Sequence, residues 1–352
     1  MNSSQNKNRE FRDFLQNLPK TEIHLHIEGL TSVDTIWSLI QENKLNYEGI
    51  DSKDDLRKKF QISSLGEFLS LFINVVQNSF QKESDLEYLI TDTQDYLERN
   101  NIFYTEIFFS PSKFIQNGFS FETMIDILDN GSKRIKEKSN RTVKYLIDVS
   151  RTFGPENAMN NLNLILDHPR QSVIGIGLGG AEDKGPAADY TEVFAKAKSK
   201  GLEIVTHAGE IVGPESIWDS LKKLHASRIG HGISAIQDED LMEYLVKNQI
   251  PLEICPTSNI FTRHYVDKLT DHPIKKFFER GIYVTLNTDD PTFFGAELVD
   301  EYMNLVDADM FTHKEVLQLV KNNHFATFMT EAEKNETWLQ IDQFINQSNF
   351  GK

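Results

Sequence analysis

A single cysteine, Cys255, stands in a chain of 352 residues. One thiol permits no intrachain disulfide and no cysteine-rich zinc site. Any metal centre here must therefore be built mainly from His, Asp or Glu. Positive charge is also scarce. The chain has 37 Lys and Arg against 53 Asp and Glu, a formal net charge of −16. Such a surface repels phosphate backbones and argues against a nucleic-acid partner. It offers no polybasic patch to a membrane. No run approaches the roughly 20 apolar residues of a membrane span. The polar start, MNSSQNKNRE, lacks the apolar core of a signal peptide. A soluble, cytoplasmic protein without a membrane partner is expected. Linkers, repeats and low-complexity stretches are missing too, so residues 1–352 read as one domain.

What is present is a globular composition, 39% hydrophobic with 24 Phe, and a rhythm. Short β-rich runs alternate with helical patterns at residues 21–27, 102–111, 142–151, 172–180, 202–210, 227–232, 251–259 and 281–291. Such alternation signals parallel βα units. Eight of them predict a closed (β/α)8 TIM barrel of the α/β class. An open doubly wound sheet would more often carry a Gly-rich phosphate loop after its first strand, and none is there. Residues from about 51 to 100 read as a helical insertion after the first strand, and roughly 296–347 as extra C-terminal helices. Residues 1–17 read as a polar tail leading into a short helix.

In this barrel the active site lies at the C-terminal ends of the strands. The polar residues at those ends are the informative ones. The first run, TEIHLHIEGL, carries His24 and His26 two residues apart. In a strand, residues i and i+2 share a face, so both imidazoles can aim at one point. His207 ends the fifth run and Asp289 the eighth. Three nitrogens and one oxygen then suit a catalytic zinc, which keeps a position open for water. Glu210, three residues past His207, is placed to move that water's proton. His231 can hydrogen-bond the water and fix its direction. Asp290 leaves the strand pointing away from Asp289, towards water or substrate. Gly180, with Gly177 and Gly179, lets the backbone approach a flat ligand edge. Strand four carries no lysine at its end, where two-metal relatives of this architecture commonly place a bridging modified one. One metal is therefore expected per chain. Cys255, on an apolar run before Pro256, reads as packing rather than nucleophile.

TEIHLHIEG, VTHAGE, RIGHG, EICPTSN and LNTDDP, in this order, resemble the adenosine/adenine deaminases. The motifs span residues 21 to 291. The resemblance implies a zinc held by His24, His26, His207 and Asp289, with His26 also beside the substrate. It implies that Glu210 protonates purine N1, that His231 orients the attacking hydroxide, and that Asp290 contacts N7. The backbone N–H of Gly180 would meet N3. The implied reaction is hydrolytic deamination of a 6-aminopurine, releasing ammonia and leaving a 6-oxopurine.

Two departures bear on the substrate. Adenosine-specific members commonly read HLDG and LAGDE where this chain reads HIEG and GGAE. Glu28 sits where the family contacts a ribose 5′-hydroxyl, and HIEG also resembles adenine deaminases. The GLGG and CPTSN forms look more like bacterial members acting on nucleosides. Adenosine or deoxyadenosine is the expected substrate, with a 5′-modified nucleoside (aminodeoxyfutalosine or methylthioadenosine) or free adenine as alternatives. Two further readings compete: another metal hydrolase of this barrel superfamily, and a catalytically silent zinc-binding protein. The Phe-rich stretch 65–80 could cover a nucleoside or serve as core.

Overall fold

The computed structural model describes residues 3–62, 64–262 and 264–351. Eight parallel strands run in sequence order: β1 (Lys20–His26), β2 (Ile102–Phe109), β3 (Thr142–Asp148), β4 (Val173–Leu178), β5 (Glu203–Ala208), β6 (Arg228–His231), β7 (Leu252–Ile254) and β8 (Val284–Leu286). The strands are buried along most of their length. Helices cover the outside of the sheet, as parallel sheets require. This is the (β/α)8 architecture that the alternating pattern predicts.

The seam between β8 and β1 closes just beyond β8. Asp289 bridges Leu25 in parallel. Its N–H donates to His24 O at 3.1 Å, and its C=O accepts from His26 N–H at 3.1 Å. The closing residue is thus one of the candidate metal ligands. Asp289 has φ +66°, a left-handed conformation that few non-glycine residues adopt outside over-determined sites.

The last two strands are shorter than the 251–259 and 281–291 runs suggest. Pro256 has no N–H to give a ladder and starts a helix, Pro256–Thr262. After Leu286 the chain turns into the strained backbone at Asp289. The N-terminal segment differs in the other direction. A continuous helix runs Ser3–Asn17, because Phe11 and Leu15 lie one turn apart and both bury completely. Between β1 and β2 lie the helices Val33–Glu42, Lys53–Lys59, Leu65–Leu71 and Glu87–Arg99, with a π-helical turn at Phe72–Gln77. This is the expected helical insertion. The C-terminal helices Leu298–Asp307, His313–Ala326 and Glu331–Asn346 complete the shell. Thr312 with Glu315, and Thr330 with Glu333, form capping boxes that start the last two.

Inside the barrel, Phe108, Leu146 and Val205 form a small apolar cluster of their own. Phe108 packs against the rings of His24, His26 and His207 at centroid distances of 5.2, 5.1 and 5.2 Å. Glycine makes room for it. A Cβ at Gly177 would lie 2.5 Å from the Phe108 ring, and one at Gly230 would lie 2.7 Å from His24 Cε1. These two glycines let the site's floor and first histidine sit where they do.

Candidate active site

The four predicted ligands come together at the C-terminal mouth of the barrel. Donor atoms of His24, His26, His207 and Asp289 all lie within 4.8 Å of one another. Asp289 Oδ1 is 3.5 Å from His24 Nε2 and 3.2 Å from His26 Nε2. His26 Nε2 lies 3.1 Å from His207 Nε2. A tetrahedral zinc with nitrogens at about 2.0–2.1 Å sets ligand atoms roughly 3.3 Å apart. His24 Nε2 is buried with no hydrogen-bond partner. An orphaned imidazole nitrogen among three other ligand atoms is what a metal satisfies.

Electrostatics agree. Burial works against charge on His24, yet Asp289 and Glu253 outweigh it and lift this imidazole to about 9. His26 is likewise lifted to about 10, against burial, by Asp290 and Asp289. His207 goes the other way, pushed well down by burial and by the neighbouring histidines. The carboxylates thus call for positive charge at this point, and a divalent cation supplies it.

The ligands are themselves held. His24 Nδ1 pairs with Glu253 Oε2 at 2.7 Å. Arg228 donates to Glu253 at 2.5 Å and to Glu106 at 2.6 Å. A carboxylate behind a ligating histidine fixes its tautomer and raises its basicity. Ser258 donates to Asp289 Oδ2 at 2.7 Å. Glu253→Gln is expected to weaken metal affinity about 10–100-fold. Competitive chelator titration of the purified protein measures this, and unchanged affinity would contradict the assignment.

Glu210 stands beside this cluster. Burial, then Asp289 and Glu182, push its carboxyl up to about 8, which favours the protonated form. Its position is set by Glu182, a buried carboxylate. Glu182 accepts from the N–H groups of Gly209, Glu210, Ile211 and Val212 at 2.6–3.1 Å, and also from the Ser216 hydroxyl. The turn that presents Glu210 is therefore wrapped around an anion. His231 Nε2 lies 3.6 Å from Glu210 Oε2 and 4.0 Å from Asp289 Oδ2. Asp290 is buried, with Oδ1 unpartnered. Burial and the adjacent Asp289 hold its carboxyl well above the usual range. A Cβ at Gly29 would lie 2.0 Å from Asp290 Oδ1, so Gly29 of the HIEG motif makes space for it.

These groups open onto one cavity. His26, His207, Glu210, His231, Asp289, Asp290 and Gly180 all line it. Phe68, Leu69, Phe72 and Ile73 form an apolar wall, so the 65–80 stretch faces the cavity as well as the core. Gly180 has φ +88°, the left-handed region. Glu28 is buried against two of the lining residues, Gln77 and Ser110. Its Oε1 accepts from Ser110 N–H and Gln77 Nε2, each at 3.1 Å, while Oε2 is buried without a partner. Burial raises this carboxyl to about 7.

Several residues here had no role in the sequence reading: Asp148, Glu253, Ser258, Asn259 and His272. Asp148 ends β3 and lines the cavity. It accepts from Ser150 N–H at 3.0 Å, Gly179 N–H at 2.7 Å and the Ser110 hydroxyl at 2.9 Å. The sequence carried the third run on to residue 151, so the only available signal was an acid within an apolar, β-rich stretch. Glu253 sits mid-strand in an apolar run, and only its buried charge could have flagged it. Cys255 is buried, and burial pushes its thiol well up, away from the thiolate form that a nucleophile needs.

Three histidines and an aspartate converging at the mouth of a (β/α)8 barrel, with a buried glutamate beside them, define a metal-dependent hydrolase of the amidohydrolase type. Comparison with known proteins narrows this. The chain belongs to the adenosine deaminase family, whose profile matches residues 19–344. It is 31% identical over 334 residues to an adenine deaminase of Vibrio parahaemolyticus, covering 95% of this chain and 98% of that one. It is 32% identical to an aminodeoxyfutalosine deaminase of Streptomyces avermitilis, covering 96% and 94%. An adenosine deaminase of Clostridium acetobutylicum shares 34%, covering 93% and 98%. The crystal structure of an adenine deaminase from Arthrobacter aurescens superposes with TM-score 0.89 at 28% identity, covering 94% and 99%. The chain is thus an aminohydrolase of this family.

Among the described residues, no helix is long and apolar enough to cross a membrane.

Proposed function

We propose that this chain is a single-domain zinc aminohydrolase converting adenosine or deoxyadenosine to the 6-oxopurine nucleoside and ammonia. The observation that carries the reaction class is the four-donor cluster with Glu210 and His231 facing it. His24, His26, His207 and Asp289 would hold one zinc. When bound, zinc acts as a Lewis acid that lowers the pKa of a bound water to about 7.

The chain's own groups do the rest. Glu210 gives its proton to N1 as water oxygen adds to C6. This removes aromatic stabilisation from the ring and makes C6 electrophilic. His231 fixes the direction of the adding oxygen. Asp290, whose carboxyl is pushed well up by burial and by Asp289, donates to N7, and the Gly180 N–H meets N3. The Glu210 carboxylate left behind takes the proton that the water loses and hands it to the departing amine. As the C6–N bond breaks, the C6 hydroxyl returns a proton to Glu210, so ammonia leaves and the 6-oxo group remains. The apolar wall of Phe68, Phe72, Phe261 and Phe294 sheds water from the purine faces.

Support for a nucleoside comes from the polar part of the cavity lining, where Gln77, Ser110, Ser150 and Thr152 form a set suited to the hydroxyls of a sugar. The GLGG and CPTSN forms point the same way, and the Clostridium relative is named as an adenosine deaminase. The test is an ammonia-release assay, read together with the shift in the ultraviolet band of the purine. It runs over adenosine, deoxyadenosine, methylthioadenosine, aminodeoxyfutalosine and adenine. Adenosine and deoxyadenosine are expected to show the highest kcat/KM. Adenine or a 5′-modified nucleoside running more than about tenfold faster, some 1.4 kcal/mol in transition-state binding, would overturn the substrate. No spectral change with any of the five would overturn the reaction.

A further inference from the structure

His231 Nδ1 faces away from the metal cluster, into a buried chain of hydrogen bonds. Asn259 Nδ2 lies 3.0 Å from it. Asn259 Oδ1 lies 3.2 Å from His272 Nε2. His272 Nδ1 receives the backbone N–H of Ile274 at 3.1 Å. His231, Asn259 and His272 are all buried, so water does not compete for these groups. Asn259 begins from the helix Pro256–Thr262, and His272 from the loop that leads into the helix Ile274–Arg280.

The polarity of this chain is decided at its far end. A backbone N–H can only donate. His272 Nδ1 must therefore accept, and it must be bare. A neutral imidazole carries its one proton on the other nitrogen, so His272 Nε2–H donates to Asn259. The atom of Asn259 that it meets must then be the amide oxygen. This leaves the amide NH2 facing His231, which can only donate, so His231 Nδ1 accepts. The single proton of neutral His231 is thereby placed on Nε2, the nitrogen 3.6 Å from Glu210 Oε2 and 4.0 Å from Asp289 Oδ2. Burial pushes His272 down to about 3, which matches the neutral ring that accepting requires.

We infer that Asn259 and His272 are positioning residues that lock His231 as an Nε2–H donor aimed at the oxygen adding to C6. In that tautomer His231 cannot take a proton at Nε2. It stabilises charge developing on the oxygen by a preorganised N–H, a role that costs no reorganisation during reaction. The water's proton must go elsewhere, and the acid–base work stays with Glu210. The catalytic geometry is thus anchored about two side chains behind the ring, in an amide N–H of a helix start. This inference rests on the proposed role of His231 but makes a separate claim about which of its nitrogens carries the proton.

The test uses zinc-loaded, full-length protein labelled with 15N histidine. The His231 signals are assigned by difference from a His231→Gln sample. The proton is expected on Nε2 in the unaltered protein. Asn259→Asp replaces the donor by an acceptor and is expected to move a proton to Nδ1. It should lower kcat by about 100-fold, the cost of losing one oxyanion donor, with KM nearly unchanged and bound zinc retained. If that variant does not fold, the His272 pair decides. His272→Gln keeps an N–H donor towards Asn259 and is expected to keep both tautomer and kcat. His272→Ala frees the amide of Asn259 and is expected to lose at least part of both. A proton on Nδ1 in the unaltered protein would overturn the inference. So would a tautomer indifferent to Asn259→Asp or, where that variant is unfolded, to His272→Ala. A His231→Gln variant that turned over normally would instead overturn the proposed role of His231, while the tautomer reading would stand or fall on the spectra.

Discussion

Glu210→Gln is expected to lower kcat about 10²–10⁴-fold, the usual worth of a positioned general acid, with metal content unchanged. The glutamine keeps the size of the side chain and leaves the backbone N–H groups of the 209–212 turn donating to Glu182. What it loses is the transferable proton. The carboxyl is pushed up to about 8 by burial first, then by Asp289 and Glu182, which favours the protonated form far more than in an exposed glutamate. KM should change little, because the proton transfer belongs to the transition state. Steady-state kinetics together with metal analysis check both halves. Normal turnover would remove Glu210 from the mechanism, and lost metal would show that the change reached the ligand cluster.

Asp289→Asn should go further and abolish metal binding and activity together. The amide offers a neutral oxygen where the cluster has its only ligating carboxylate. His26 and His24 would lose the group that lies 3.2 and 3.5 Å from their Nε2 atoms. The unaltered protein is expected to hold about one zinc per chain. A site whose ligands converge from β1, β5 and the β8–β1 seam links metal to folding. Zinc added to stripped protein at about a thousand times its Kd should therefore stabilise it by roughly 4 kcal/mol. The variant should show none of this gain in a thermal melt. Full zinc content in Asp289→Asn, or near two zinc ions per unaltered chain, would contradict the site as built here.

Much of this protein is written locally. Alternating β-rich and helical runs specify parallel βα units without reference to distant residues, and eight of them close a barrel. HxH on a strand puts two imidazoles on one face through the period of two alone. His207, Asp289, Glu210, His231 and Asp290 are legible because each ends a predicted strand, and the barrel sends all such ends to one mouth. The lone cysteine limited the metal mainly to His and carboxylate ligands.

Other features exist only after folding. Closure of the seam through Asp289, with its φ of +66°, depends on register between the first and last strands, which no local pattern encodes. The ends of β7 and β8 were set by Pro256 and by that strained turn rather than by hydrophobicity. Glu253 stands 229 residues from the His24 it orients, and Glu182 lies 28 residues from the Glu210 whose N–H it binds. Glu28 takes its hydrogen bonds from Gln77 and Ser110, 49 and 82 residues away in the chain. The direction of the hydrogen bonds behind His231 is set by a backbone N–H at Ile274. Residue types and strand ends decide which groups reach the mouth. Only the packed interior, where a polar atom must find a partner or remain unsatisfied, decides which nitrogen holds a proton and which carboxylate keeps one.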